Sequence, residues 1–133
     1  MPISVHVYTS IDDEEQRDQL ERLYNSSPEF PTGAAAIAQL QQALSQYTLL
    51  YTAEFNQRII AAIWSSGSGA ERTLKYIVVH PANRGRGVAE RLIDEVCAQE
   101  QAKNVQHFIP GCGAIARNLA KLGKLNIVSS NLS

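Results

Sequence analysis

The chain has 133 residues, 44% of them hydrophobic and 19% charged, with a formal net charge of -1 and a pI near 6.3. That length fits one domain with a core that needs no staples, and the composition is that of an ordinary globule. It excludes the basic excess of a general nucleic-acid binder; no apolar run approaches the roughly 18 residues of a membrane span, and Met1-Pro2-Ile3-Ser4 carries no secretory signal, so the cytoplasm is the expected compartment.

Ile3, Val5 and Val7 alternate with Ser4, His6 and Tyr8, the period of a strand. Ser10 or Asp12 is placed to cap a helix from about Asp13 to Tyr24, which carries acids in its first turn and ends at Asn25-Ser26-Ser27-Pro28. Pro31-Thr32-Gly33 opens a second helix with Ile37, Leu40 and Leu44 at helical spacing. Residues 47–55 and 58–65 are β-like runs on either side of Asn56-Gln57, which predicts a hairpin, followed by the loop Ser66-Gly67-Ser68-Gly69. Residues 73–80 form a further strand, whose apolar end Tyr76-Ile77-Val78-Val79 predicts burial on both faces. A helix from Arg86 to about Ala102 carries Val88, Leu92, Ile93 and Val96 on one stripe. Residues 105–109 are a strand, residues 113–122 a helix closed by Gly123, and residues 125–128 a last short strand. The order β-α-α-β-β-β-α-β-α-β describes one α+β, or mixed α/β, domain around a single sheet.

Between the strand that stops at Pro81 and the long helix lies Arg84-Gly85-Arg86-Gly87-Val88-Ala89. A strand, a glycine turn and a helix start make a device for holding phosphate. The first amides of a helix lack internal acceptors, their dipoles sum to roughly half a positive charge, and a pyrophosphate can accept several of them at once. Gly85 and Gly87 permit close approach and positive φ, and Arg84, Arg86 and Arg91 add charge. A second motif, Gly111-Cys112-Gly113-Ala114-Ile115-Ala116, fits the dinucleotide pattern G-x-G-x-x-A. Pro110 intrudes, no acid follows to hold a ribose, and too little chain remains for a nucleotide-binding half, so it reads as a glycine turn before a helix. Cys97 and Cys112 have no metal spacing. Cys97 is expected as a buried thiol, and Cys112 as an exposed turn residue with no base to activate it. No metal site is expected.

Arg84, Gly87 and Ala89 fill the three fixed positions of Q/R-x-x-G-x-G/A, preceded by Val78-Val79-His80-Pro81. In this, and in element order, the chain resembles the GNAT acetyltransferase superfamily. The resemblance implies a single domain over residues 1–133, with one central, mostly antiparallel mixed sheet flanked by helices. It implies acetyl-CoA or CoA as cofactor. The pyrophosphate would lie on the backbone of Asn83, Arg84, Gly85, Arg86, Gly87, Val88 and Ala89, and the pantetheine arm along Ile77, Val78 and Val79.

Within the superfamily the chain is most similar to the acetyl-CoA-sensing maturation factors of aspartate 1-decarboxylase, the PanM/PanZ group. Tyr51-Thr52-Ala53-Glu54-Phe55-Asn56-Gln57-Arg58-Ile59-Ile60-Ala61-Ala62 resembles their Y-A-A-R-F-N-E/D-R-L-L-A-A hairpin, and the segment from Arg84 to Val96 their R-R-R-G-V-G helix start. That similarity implies a protein partner, the decarboxylase precursor, whose self-cleavage is promoted, with Asn56 and Arg58 as contacts. The chain departs from the group at Gly85, which replaces a basic residue, at Lys124, which stands where an aromatic is usual, and in its shorter C-terminal strands.

An N-acetyltransferase must deprotonate an ammonium and protonate a leaving thiolate. GNAT enzymes often place a tyrosine four residues before the glycine ending the late helix, and here that position is Leu119. His80 and Glu54 are the candidate bases, read otherwise as a strand-end histidine and a solvated charge; His107 reads as a satisfied or exposed strand residue. The balance favours an acetyl-CoA-binding regulator. The alternative is an N-acetyltransferase acting on an amine of a small molecule or protein, and the third reading is a GNAT fold with an empty groove.

Overall fold

The computed structural model describes residues 3–124, so the strand expected over residues 125–128 lies outside the described residues. In chain order the elements are β1 (Ser4–Tyr8), α1 (Glu14–Tyr24), α2 (Gly33–Leu44), β2 (Thr48–Phe55), β3 (Arg58–Ser66), β4 (Glu71–Val79), a 3-10 turn (Pro81–Asn83), α3 (Val88–Gln101), β5 (His107–Pro110) and α4 (Gly113–Lys121).

Helix starts follow cap chemistry. Asp13, and neither Ser10 nor Asp12, caps α1: its carboxylate accepts from the Gln16 amide at 2.9 Å, while Ser10 and Asp12 bond to each other. Thr32 caps α2 through the Ala35 amide at 3.0 Å. Each cap satisfies an amide that has no partner inside the helix. Gly33 is fixed by packing, because a Cβ there would collide with the carbonyl oxygen of Glu21 where α2 meets α1. α3 begins at Val88 rather than Arg86, since Gly85 and Gly87 are left-handed. β5 begins at His107 rather than at residue 105, because Val105 turns into the core and the amides of Gln106 and His107 both donate to the carbonyl of Ala70.

The sheet has the order β1-β2-β3-β4-β5, antiparallel at every pairing except β4–β5, which is parallel. The β2–β3 turn places Asn56 and Gln57 at φ 52 and 64, the left-handed pair that matches strand twist in a two-residue hairpin. Alternation along the strands sends neighbours to opposite faces. Tyr51, Ile63 and Leu74 meet α3 and α4, whereas Leu50 and Trp64 meet α1 and α2. Burying each such side chain contributes about 1.5–3 kcal/mol. The Trp64 indole donates to the Tyr24 hydroxyl at 2.8 Å, so both polar groups are satisfied in the core.

A buried ionic network ties the last turns of α3 to the sheet. Glu100 accepts from the Tyr51 hydroxyl at 2.6 Å and lies 3.6 Å from both Arg72 Nε and Lys103 Nζ. Arg72 also donates to Ser65 Oγ at 2.9 Å and to the carbonyls of Ser65 and Gly67. Buried charges persist only when paired and hydrogen-bonded, and here both are. Burial first, then the Glu100 carboxylate, pushes the Tyr51 pKa upward.

β4 is irregular. Ala62 pairs with Val78 while Trp64 pairs with Lys75, so Ile63 faces both Tyr76 and Ile77, and Tyr76 sits at φ 57 in a β-bulge. β5 pairs β4 only over Glu71, Arg72, Thr73 and Leu74. Beyond that point the run expected to be buried on both faces is only half covered: Val78 is buried, but Tyr76, Ile77 and Val79 are half-buried.

Candidate functional site

The bulge and the short β5 together make a fork. At its base the Gly111 amide donates to the Leu74 carbonyl at 2.7 Å, and a Cβ on Gly111 would lie 2.7 Å from Lys75 Cβ. Above that, residues 75–79 have no strand partner on the β5 side among the described residues. Ile77 and Val79 lean on the α3–α4 core and Val78 on the opposite one. An unpaired strand edge of this kind can accept another extended chain.

The edge leads directly into the glycine turn. His80 opens the 3-10 turn, its Nδ1 accepting from the Ala82 amide at 3.1 Å. The amides of Asn83 and Arg84, expected among the phosphate donors, are bonded within this turn to the carbonyls of His80 at 2.8 Å and Pro81 at 3.4 Å. The chain then passes through Gly85 at φ 76 and Gly87 at φ 77. Gly87 caps α3 without a side chain, and the first helical bond runs from the Arg91 amide to the Gly87 carbonyl at 3.1 Å. As a result the amides of residues 85–90 have no acceptor among the described residues. A Cβ at Gly85 or Gly87 would meet nothing within 4 Å, so the turn borders open space. It lies at the positive end of α3, where an anion is favoured.

The arginines divide their work. Arg84 folds back, donating from Nε to the Val79 carbonyl at 3.0 Å and from Nη2 to the Ser26 carbonyl at 3.4 Å, which clamps the turn to β4 and to the loop after α1. Arg86 and Arg91 are exposed and form no ion pair among the described residues.

The remaining candidates fall on a second surface. His80, Asn56 and Arg58 line one groove of about 380 Å³ between α1 and the hairpin turn. Glu54 lines an adjoining groove of about 310 Å³ with Tyr8 and Asp13. Glu54 is not a freely solvated charge: it accepts from the Tyr8 hydroxyl at 2.8 Å and Thr52 Oγ1 at 3.0 Å, and His6 Nε2 stands 3.6 Å from its other oxygen. Burial, and after it the bond to Glu54, pushes the Tyr8 hydroxyl up to about 12. Leu119 is fully buried and offers no proton at the fork. Cys97 is buried, and burial pushes its thiol up to about 12. Cys112, at the start of α4, is half-buried rather than exposed. His107 is half-buried on β5. Among the described residues no group of His, Cys, Asp and Glu could hold a metal, and no helix is long and apolar enough to cross a membrane.

Sequence reasoning missed the bulge at Tyr76. No residue type announces it, because tyrosine rarely takes positive φ and the surrounding run reads as regular strand. The folding back of Arg84 was equally invisible, since its acceptors lie on the strand end and on a distant loop.

A sequence model of the family described as "Acetyltransferase (GNAT) domain, PanZ" matches residues 4–122. No curated protein matches the chain in sequence. Among solved structures, an acetyltransferase of Trypanosoma brucei superposes with a TM-score of 0.70 at 18% identity, covering 92% of each chain. An aminoglycoside N-acetyltransferase in complex with CoA gives 0.70 at 16% identity, covering 94% of this chain and 88% of that one. A GNAT family acetyltransferase of Staphylococcus aureus gives 0.70 at 19%, covering 85% and 88%. These likenesses carry the fold: a five-stranded mixed sheet flanked by helices.

Proposed function

The chain belongs to the PanZ family of GNAT acetyltransferase domains, and from that premise we propose that it binds acetyl-CoA and, so loaded, docks on the aspartate 1-decarboxylase precursor and promotes its self-cleavage. The observation that carries the cofactor half is a run of largely open backbone: the strand edge of residues 75–79, where among the described residues the Val79 carbonyl alone accepts, from Arg84 Nε, then the amides of residues 85–90. Pantetheine has two amides, which suit the edge offered by Ile77, Val78 and Val79. A diphosphate requires clustered donors, which suit the amides of Gly85, Arg86, Gly87, Val88 and Ala89, with Arg86 and Arg91 at hand. Asn83 borders this turn with its amide already bonded, and Arg84 holds the turn in shape. When bound, the coenzyme supplies an acetyl thioester. Structures of similar fold have been solved with CoA and, for a GNAT family member from Brucella melitensis, with acetyl-CoA.

The regulatory half rests on what surrounds the cofactor edge. Catalysis of amine acetylation calls for a base and an acid in reach of the thioester. Leu119 is apolar and buried, Glu54 is engaged by Tyr8 and Thr52, and His80 keeps only Nε2 free of its turn bond. Asn56 and Arg58 are exposed at the hairpin and share a groove with His80, one residue beyond the cofactor strand. A partner on the hairpin therefore abuts the coenzyme site. With Nδ1 accepting from the Ala82 amide, the neutral His80 ring carries its proton on Nε2, so the N-acetyltransferase alternative keeps His80 as its base only once that turn bond is given up.

A titration compares acetyl-CoA, CoA and buffer, with and without the decarboxylase precursor. Tight binding of acetyl-CoA, and precursor cleavage only in its presence, is the expected result. Release of free CoA on adding any of a panel of amines, lost in His80→Ala, overturns the regulatory reading in favour of the enzyme.

A further inference from the structure

The two grooves beside α1 share a wall formed by Glu15, Gln19, Gln57 and Ile59, so they are one trough. Its charges are segregated. The end at Tyr8 is lined by Asp13 and Glu54 and by no basic side chain. The end at the hairpin turn and His80 is lined by Arg22 and Arg58, with Glu15 of the shared wall as its acid. Asp13, Glu15, Arg22 and Arg58 form no ion pair among the described residues, although opposite charges share one trough. Helix length explains why Asp13 and Arg22 do not neutralise one another. Asp13 and Arg22 lie at the two ends of α1, about 14 Å apart at 1.5 Å per residue, beyond a screening length of about 8 Å in physiological salt.

The wall also presents an orphan. Gln16 Nε2 is buried without a hydrogen-bond partner among the described residues, and Gln16 lines the acidic end. A buried donor of this kind requires an acceptor. Gln19 Oε1 is committed to the Ile59 amide at 2.8 Å, which leaves its own amide group free to donate. Leu23 and Ile59 give the basic lobe an apolar wall.

We infer that this trough is a docking site for an extended segment of the protein partner, one that carries a cationic side chain and an anionic group about four residues apart. The spacing follows from the charge separation, since an extended chain advances about 3.4 Å per residue. The cation lies at the Asp13–Glu54 end and the anion at the Arg22–Arg58 end, beside His80 and the strand that leads to the coenzyme turn. A backbone carbonyl of the segment takes the free donor of Gln19, and another takes that of Gln16 once its side chain turns outward. The inference rests on the partner reading above and specifies the chemistry of that partner.

The test uses fluorescein-labelled peptides and the full chain saturated with acetyl-CoA. The probe is Gly-Ser-Lys-Thr-Val-Thr-Glu-Ser-Gly; one control places its lysine and glutamate side by side, and another replaces both with glutamine. The probe is expected to bind at least tenfold more tightly than either control, to weaken with added salt, and to lose at least tenfold in Arg22→Glu and in Glu15→Lys. Glu15→Gln gives a milder loss if a reversed charge unsettles α1. Equal binding of all three peptides, no binding, or indifference to these substitutions overturns the inference. The acetyl-CoA melting shift of each variant is read in parallel. A retained shift with lost peptide binding locates the defect in the trough. Absence of the shift in the unaltered protein is instead a failure of the cofactor reading, and the peptide comparison is then judged on the unliganded chain.

Discussion

The two ends of α3 solve opposite problems. At its first turn the amides of residues 85–90 are left without acceptors among the described residues, beside a glycine turn that borders open space. At its last turn Glu100 is buried, and its carboxylate meets Tyr51, Arg72 and Lys103. One end keeps polar groups unpaired where solvent can satisfy them until a ligand does; the other pairs Glu100 and Arg72, which the fold buries. An end of the first kind is disposed to bind, and an end of the second kind is disposed to hold strands together. The separation predicts that mutations at the two ends fail in different assays.

The largest effect is expected at the paired end. Glu100→Ala strands the Arg72 guanidinium and the Tyr51 hydroxyl in the core, and the loss should be about 3–5 kcal/mol by denaturant unfolding. The fraction that still folds should keep its acetyl-CoA response. A loss below about 1 kcal/mol would mean that solvent reaches the network, and the contrast between the ends would dissolve. At the open end, Gly87→Glu puts bulk and negative charge in the turn. It should erase a ligand stabilisation of about 2.7 kcal/mol at a hundredfold excess over Kd, read as the melting shift. The unliganded protein should lose only about 1–2 kcal/mol, the cost of a side chain at positive φ.

Alkaline titration sharpens the contrast from another side. Cys97 is pushed up to about 12, and Tyr24 and Tyr51 are raised by burial. Each group binds its proton more tightly in the folded chain than in the unfolded one. Their contribution is therefore intact below the ordinary thiol and phenol range and falls as pH rises from about 9 toward 12. The decline should reach about 1.4 kcal/mol per pH unit for each group titrating. Cys97→Ala should delay its onset by about one pH unit, to the phenol range, as followed by near-ultraviolet circular dichroism.

Smaller effects are expected at the surface. Asn56→Ala should weaken precursor binding about tenfold, or about 1.4 kcal/mol, with acetyl-CoA affinity unchanged in a calorimetric titration. Equal loss of both would merge the hairpin with the coenzyme site. Arg84→Ala removes the bonds to Val79 and Ser26 and should cost about 1 kcal/mol of stability. It should lower acetyl-CoA affinity only slightly, because Arg84 shapes the turn and its guanidinium is committed to the Val79 and Ser26 carbonyls.

Much of this arrangement was legible in the sequence where short-range chemistry decides it. Asn56-Gln57 between two β-like runs announced the hairpin, and the structure forms it with both residues left-handed. Gly85 and Gly87 announced a turn of positive φ before a helix, and both take it. Thr32 before Gly33 announced the start of α2. Glu54 reads from the sequence as a solvated charge because Tyr8 on β1 meets it only when β1 pairs with β2, and the bond from Thr52 depends on both side chains sharing one face of β2. The first cap moved to Asp13 because Ser10 and Asp12 found each other, a choice among neighbours that residue types alone leave open.

Over the described residues the sequence by itself determined the elements, their order, the glycine turn and the apolar faces of the helices. These depend on torsional preference, capping and periodicity, which act over a few residues. Only the tertiary structure decided which backbone groups remain without partners. The fork arises because β5 stops pairing at Leu74 while β4 bulges at Tyr76, and the trough arises because α1 lies against a hairpin some forty residues away. A hydrogen bond left unmade is a property of the whole sheet and its register, so no local stretch of letters can state it.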